Sequence, residues 1–193
     1  MRTSSITRNT KETQITLSLN LDGTGKNDIN TGIEFFDHML TQISTHGFID
    51  LTIKAKGDIG VDCHHLIEDV GITLGLALKE ALGDKLGITR YGKAIIPMDE
   101  SLVLCAIDIS NRPYANIDDP FTTKMLGEFQ TEMVKEFFIA LANNAGFNIQ
   151  TIMLRGTNNH HMVEGTFKAF ARALLEAVTI NERFGLPTSK GVL

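Results

Sequence analysis

The feature that most constrains this chain is that it repeats itself. HHLIEDVGITLGLALKEAL (64–82) laid without gaps on HHMVEGTFKAFARALLEAV (160–178) gives seven identities in 19 positions, and most other pairings are apolar on apolar. Upstream, GFIDLTIKAKG (47–57) lies over GFNIQTIMLRG (146–156), with glycines ten apart in both. Further back, EFFDHMLTQIS (34–44) corresponds to MVKEFFIALAN (133–143) with a one-residue slip. Two ordinary amphipathic helices can match by chance, but here the order and spacing of three segments agree. The chain therefore reads as an internal duplication with its seam near residues 85–95. Its 193 residues fit one domain by length, expected as a single catalytic domain over 1–193 built from repeat halves of about 1–90 and 91–193.

Each half carries the same coarse pattern. TQITLSLNL (13–21) alternates Ile15, Leu17, Leu19 and Leu21, a half-buried strand closed by Asp22-Gly23, and SLVLCAIDI (101–109) is its counterpart before Asn111-Arg112-Pro113. Phe36, Leu40 and Ile43 recur at helical spacing within 33–46, which puts His38 and Gln42 together on another face. DLTIKAKG is strand-like again, and a long helix follows. In the second copy its apolar stripe is Val163, Phe167, Phe170, Leu174 and Val178. Strand, helix, strand, helix in each half predicts an α/β or α+β sandwich with helices on one sheet face, and with the duplication the fold expected is α+β.

Composition narrows the class. With 42% hydrophobic and 21% charged residues the chain is expected to be globular. A net charge of −5 gives no overall draw to nucleic acid or to an anionic membrane. The longest strongly apolar runs, such as Leu102 to Ile107, are far too short to span a bilayer. MRTSSITRNTK has basic residues without an apolar segment behind them, so no secretory signal is expected. Two cysteines, Cys63 and Cys105, make no disulfide framework, and the expected compartment is the cytoplasm.

Of six histidines, four form two adjacent pairs, His64-His65 and His160-His161, each followed by a glutamate at the same offset, Glu68 and Glu164. In a helix, i and i+4 share a face, so His64 converges with Glu68 and His160 with Glu164. The second histidine of each pair points about 100° away. Two such helices facing each other can trade ligands, one metal taking His64, Glu68 and His161, the other His160, Glu164 and His65. Imidazole plus carboxylate without thiolate suits manganese, iron, nickel or zinc, with octahedral geometry favoured over a closed structural zinc site. His38 can supply a fourth ligand to one site, and the duplication points to Glu136 as its equivalent. Four protein ligands leave two open positions, as a catalytic metal requires. Cys63, beside His64, has Asn159 as its counterpart and reads as a small packed residue.

A cation lies one turn beyond the ligands, because His160, Glu164, Lys168 and Arg172 follow at successive i+4 steps. Taken alone this is an ordinary Glu–Lys helix pair. With the basic, hydroxyl-bearing tail TSKG (188–191) and the turn arginines Arg90 and Arg112, it suggests a site for an anion such as phosphate.

These residues resemble the imidazoleglycerol-phosphate dehydratase family of histidine biosynthesis. The matching segments are TKET (10–13), LNLDGTG (19–25), TGIEFFDHML (31–40), HHLIEDV (64–70), ITRYG (88–92), PMDES (97–101), HHMVEGTFKAFARAL (160–174) and the final TSKGVL. The resemblance implies a manganese-dependent lyase, with two Mn2+ per active site, that dehydrates D-erythro-imidazole glycerol phosphate to imidazole acetol phosphate. It further implies a homo-oligomer, trimers assembling into a shell of roughly 24 chains, with metal sites formed between subunits. Carried over, one metal is held by His38, His65, His160 and Glu164, the other by His64, Glu68, Glu136 and His161. Substrate contacts fall to Glu12, Gln42, His46, Arg90, Arg112 and Lys168, with Thr188, Ser189 and Lys190 on the phosphate. The family often has histidine where this chain has Glu136. Cys63 stands for a usual aspartate, Asn111 for a usual glycine and Thr188 for a usual serine. Without a fused phosphatase, the form expected is the single-activity one.

The proton lost in that reaction sits on an unactivated carbon, so the chemistry needs an electron source at the imidazole. A metal on a ring nitrogen lowers the ring's pKa and favours an imidazolate that pushes out the neighbouring hydroxyl. Glu164 and Glu12 are the candidate proton carriers, with Asp99 behind them. Two other classes compete. A dinuclear metallohydrolase acting on a small phosphate ester would want aspartate-rich bridging ligands. A non-catalytic metal-storage shell would need no grip on phosphate.

Overall fold

The computed structural model describes every residue of the chain except Val192. The first half contains β1 (Thr3–Asn9), β2 (Thr13–Asn20), β3 (Asn27–Asn30), α1 (Glu34–Gly47), β4 (Asp50–Gly57) and α2 (His64–Leu82). The second contains β5 (Tyr91–Met98), β6 (Ser101–Asp108), β7 (Tyr114–Ile117), the short hairpin β8 (Met125–Leu126) and β9 (Phe129–Gln130), α3 (Met133–Ala145), β10 (Asn148–Arg155) and α4 (Asn159–Val178). The first sheet runs β1-β2-β4-β3 and the second β5-β6-β10-β7, which is one topology used twice. In both, the outer hairpin is antiparallel and the fourth strand adds in parallel. α1 is thus the crossover of a β-α-β unit in one half and α3 in the other. Only the β8–β9 hairpin has no counterpart among the described residues.

The α+β class with helices on one sheet face agrees with this architecture. The expected order of elements is too short, however, because each half also holds a first strand and a short parallel strand. TSSITRN and YGKAIIPM alternate weakly and sit at sheet edges, and NDIN has one apolar residue, so none carries much periodicity.

The repeat also needs one correction of register. The GFIDLTIKAKG/GFNIQTIMLRG match sets residue 47 on 146, whereas the buried positions Ile49, Leu51 and Ile53 correspond to Phe147, Ile149 and Thr151, an offset of 98. A slip of one residue in a strand exchanges its two faces, so the buried rows decide the register. The second glycine pair, Gly57 and Gly156, does coincide past a bulge in β10, but the first misleads because glycine there serves different ends. Gly146 ends α3 in the left-handed conformation (φ 75°), and the residue in that role after α1 is Phe48 (φ 54°). Glycine is favoured at such a cap, and phenylalanine is accommodated there at some steric cost.

α2 lies on the first sheet and α4 on the second, while α2 packs against α3 and α1 against α4. The helices therefore interleave between the two sheets. Gly71 and Gly75 of α2 face the carbonyls of Phe137 and Leu141 on α3, which brings those two helices close. Phe36, Phe137, Phe138, Phe167 and Phe170 are fully buried, with neighbouring ring centroids 5.0 to 5.5 Å apart, and join α1, α3 and α4. No helix among the described residues is long and apolar enough to cross a membrane.

Candidate metal centre and active site

Both histidine pairs stand in the first turn of their helix, and the preceding loop explains why. Asp62 Oδ1 accepts the backbone N–H of His64 at 2.8 Å; Asn158 Oδ1 accepts that of His160 at 2.9 Å. These are equivalent positions before α2 and α4, and each satisfies a free helix-start donor.

On the α1–α4 face, His38 Nε2 lies 3.1 Å and His160 Nε2 3.0 Å from the same oxygen, Glu164 Oε2. This trio is the one group of three potential ligands among the described residues whose donor atoms gather within 4.8 Å. Glu164 is only 5% exposed. Burial pushes its carboxyl up, but hydrogen bonds from Lys168 and His38 outweigh that and hold it below the usual carboxylate range. Lys168 Nζ reaches the other oxygen, Oε1, at 2.7 Å. The amide of Gln42 sits 3.3 Å from His38 Nδ1, and Phe35 packs its ring edge-on to His160 with centroids 5.1 Å apart. Phe35 is itself backed by Phe129 of the extra hairpin. Two imidazoles and an ionised carboxylate converging on one point form a donor set that fits a divalent transition metal.

The other half is looser. His64 Nε2 and Glu68 Oε2 are 3.8 Å apart, both side chains more than two-fifths exposed. Glu136 takes the place on α3 that His38 takes on α1, half-buried, and does not close into a trio with them. His65 and His161 do not join either cluster. The structure holds each by Nδ1: His65 lies 3.0 Å from Asp58 Oδ2, and His161 lies 2.8 Å from Glu100 Oε2. Those contacts raise both imidazole pKa values. Glu100, drawn well below the usual range by His161 and the Asn158 N–H, also accepts from Thr157 N and Ser101 Oγ. Asp58 and Glu100 were not among the sequence candidates. Of PMDES only Asp99 was singled out, and it is strongly exposed with Oδ2 3.6 Å from His161 Nε2. Glu12, in the β1–β2 turn, is exposed with Oε2 3.9 Å from His65 Nδ1.

The anion candidates fall into two places. Beyond the trio, His46 on α1 faces Lys168 and Arg172 on α4; burial first, then those two cations, hold its imidazole below the usual value. Arg90, at the seam with φ 72°, is bound through Nε to Asp108 at 2.8 Å and through Nη1 to the Pro187 carbonyl at 2.8 Å, which ties the tail to the second sheet. Thr188, Ser189 and Lys190 follow directly, the last two exposed, while Val192 of the same run lies outside the described residues. Arg112 is exposed in a turn next to Asn111 (φ 58°), a conformation asparagine tolerates better than most residues.

The sequence model described as imidazoleglycerol-phosphate dehydratase matches residues 31–174. A protein of that name from Lachnoclostridium phytofermentans is 56% identical over 193 residues, covering 100% of this chain and 98% of the relative. The chain belongs to the imidazoleglycerol-phosphate dehydratase family. It is a dehydratase, a hydro-lyase of histidine biosynthesis. Another family member, from Listeria welshimeri, is 55% identical over 194 residues and covers both chains fully. The crystal structure of the Staphylococcus aureus dehydratase superposes with TM-score 0.84 at 40% identity, covering 93% of this chain and 99% of that one. The Pyrococcus furiosus family member, solved in complex with (S)-C348, gives 0.83 at 41% identity over 97% and 100%.

Proposed function

We propose that this chain dehydrates D-erythro-imidazole glycerol phosphate to imidazole acetol phosphate with two divalent cations, manganese being the one its family resemblance implies. The observation that carries the reading is the His38–His160–Glu164 trio, with Lys168 holding the carboxylate from behind. The two groups of ligands we assign are His38, His65, His160 and Glu164, and His64, Glu68, Glu136 and His161. When bound, such a cation supplies Lewis-acid polarisation and a template for the imidazole and hydroxyl groups.

The chain's own groups account for the rest. Loss of water removes one C–H proton and one hydroxyl, and the resulting enol takes a proton back at carbon to become the ketone. One carboxylate can therefore serve first as base and then as acid. Glu12 suits this because it is exposed and stands 3.9 Å from His65, beyond hydrogen-bond distance, and Asp99 is a second exposed carboxylate beside His161. Lys168, Arg90, Arg112, Thr188, Ser189 and Lys190 are assigned to the phosphate end. Gln42 and His46 are assigned to the α1 side.

Assembly into a homo-oligomer is part of the same reading. His65 and His161 are held away from the trio, so each completes a site only if another copy brings its own ligands. The outer face of the second sheet favours such packing. Ile95, Leu104 and Ile152 are in register across β5, β6 and β10, where the first sheet has Thr7, Thr16 and Lys54. Exposed apolar rows of this kind mark association surfaces. The family's compartment is taken to be the cytoplasm.

The test is to strip divalent cations with a chelator, restore manganese, and follow ketone formation, phosphate release and particle size together. Activity and large particles are expected to fall and return together, with phosphate retained on the product. Apo protein that stays active would overturn the metal assignment, and free phosphate would point to a hydrolase.

A further inference from the structure

The two second histidines, His65 and His161, stand at equivalent helix positions, yet the carboxylates that hold them come from different places in the two halves. Aligning the buried rows of β2 and β6 (Thr13 with Ser101, Ile15 with Val103) makes Glu12 and Glu100 equivalent, each the residue just before its strand. Glu100 bonds His161 at 2.8 Å, but Glu12 stays 3.9 Å from His65. Its place at His65 is filled by Asp58, at 3.0 Å. The β10 bulge sets Gly156 opposite Ser101 as Gly57 is set opposite Thr13, so the position equivalent to Asp58 in the second half is Thr157, which has no carboxylate and whose N–H donates to Glu100. One half thus supplies its carboxylate from the loop after β4, the other from the turn before β6, and both reach Nδ1 of the same histidine.

We propose that Asp58 and Glu100 are positioning residues that fix His65 and His161 as their Nδ1–H forms with Nε2 free to bind a metal, and that Asp58 thereby releases Glu12 from this task. The inference rests on the reading of the histidine pairs as metal ligands. A carboxylate bound to the distal nitrogen of a ligating imidazole sets its orientation and tautomer and strengthens it as a donor. Two different residues meeting the same nitrogen at equivalent places is what this requirement would produce. Simple helix capping does not explain it, because Asp62 and Asn158 already bind the helix-start N–H groups. Asp58 makes its side-chain contacts with His65 alone among the described hydrogen bonds, so its removal should leave the fold intact.

Manganese titrations of the full assembled protein, followed by the electron spin resonance of free Mn2+, test this without relying on turnover. In wild type, two classes of site per chain are expected. Asp58→Ala should weaken the class containing His65 by about 10–100-fold, with Asp58→Asn between it and wild type, while the other class keeps its affinity. Glu100→Gln, which retains an oxygen for the Thr157 and Asn158 N–H groups, should weaken only the class containing His161. Adding Asp58→Ala to His65→Ala should cost nothing further at that class. Isotherms of Asp58→Ala and Glu100→Gln that superimpose on wild type would overturn the proposal while leaving the metal reading standing. Wild-type protein that binds no manganese would overturn that reading and this one with it.

Discussion

The two halves share a topology but have solved the seat of their long helix differently. In the first, Asp69 of α2 is 6% exposed, receives Arg8 Nη2 of β1 at 2.8 Å and accepts the Thr13 hydroxyl of β2. The equivalent positions in the second are Gly165, Ile96 and Ser101, and Gly165 rests on Val103. A largely buried ion pair in one half is thus replaced by apolar contact in the other. Such pairs give little net stability but punish loss of one partner. Their arrangement here places Thr13, and with it the turn that carries Glu12. The comparison shows that the half with the free carboxylate keeps a polar brace under it, while the half whose Glu100 is bound to a histidine does without. The metal faces differ in the same way: the α1–α4 trio is gathered and buried at Glu164, and its α2–α3 counterpart is open.

The largest expected effect separates those two faces. Glu164→Gln should lower turnover by about 10²–10⁴-fold with the fold retained. It should also cost the apo protein about 1.5–3 kcal/mol, because Lys168 loses a charged hydrogen-bond partner. Glu68→Gln, at an exposed site, should move apo stability by less than about 0.5 kcal/mol. Steady-state rates and urea midpoints measure both, and equal midpoints for the two variants would erase the distinction.

A second pair concerns the second residue of each sheet's first strand. Gly92 faces the Ala173 carbonyl and the Ala177 nitrogen of α4, so Gly92→Ala should cost about 1–3 kcal/mol. Its equivalent is Ser4, whose buried hydroxyl has no hydrogen-bond partner among the described residues. Ser4→Ala should therefore be neutral or stabilising by up to about 1 kcal/mol in the same urea titration, since an unmet buried hydroxyl is a cost. A loss on Ser4→Ala would mean that the hydroxyl has a partner.

The smallest effect is at the helix caps. Gly146→Ala should cost about 1–2 kcal/mol, and Phe48→Gly should gain a few tenths by giving α1 the cap that α3 already has. Thermal midpoints that move the same way for both would contradict the equivalence.

Much of this was legible in the sequence because repetition and helical spacing are local patterns. The duplication, the long helices, the strands at 13–20 and 101–108, and the convergence of His160 with Glu164 all follow from residues a few positions apart. The meeting of His38 with that pair needed the packing of α1 on α4, though its helical face with Gln42 was visible. Asp58 and Glu100 were missed because single carboxylates in loops carry no periodicity. Yet Glu12 and Glu100 both precede strands already recognised as counterparts, and that equivalence lies in the sequence. The edge strands escaped because half-exposed strands of Ser, Thr, Asn and Lys look like loop. The register of β4 on β10 taken from matching glycines is off by one up to Met153 and right beyond it, because a bulge in β10 adds the residue that restores it at Gly156.

The interleaved helix layer has a consequence for how the molecule is made. His38 and Glu164 are 126 residues apart in the chain, and they meet only when α1 of one half docks on α4 of the other. Contacts of such sequence separation form late, after loop closure has been overcome, and slow the approach to the native state. A nascent first half emerging alone would carry His64, His65 and Glu68 but have nothing to cover α1 and α2. The trio is therefore assembled only after α4 has been synthesised.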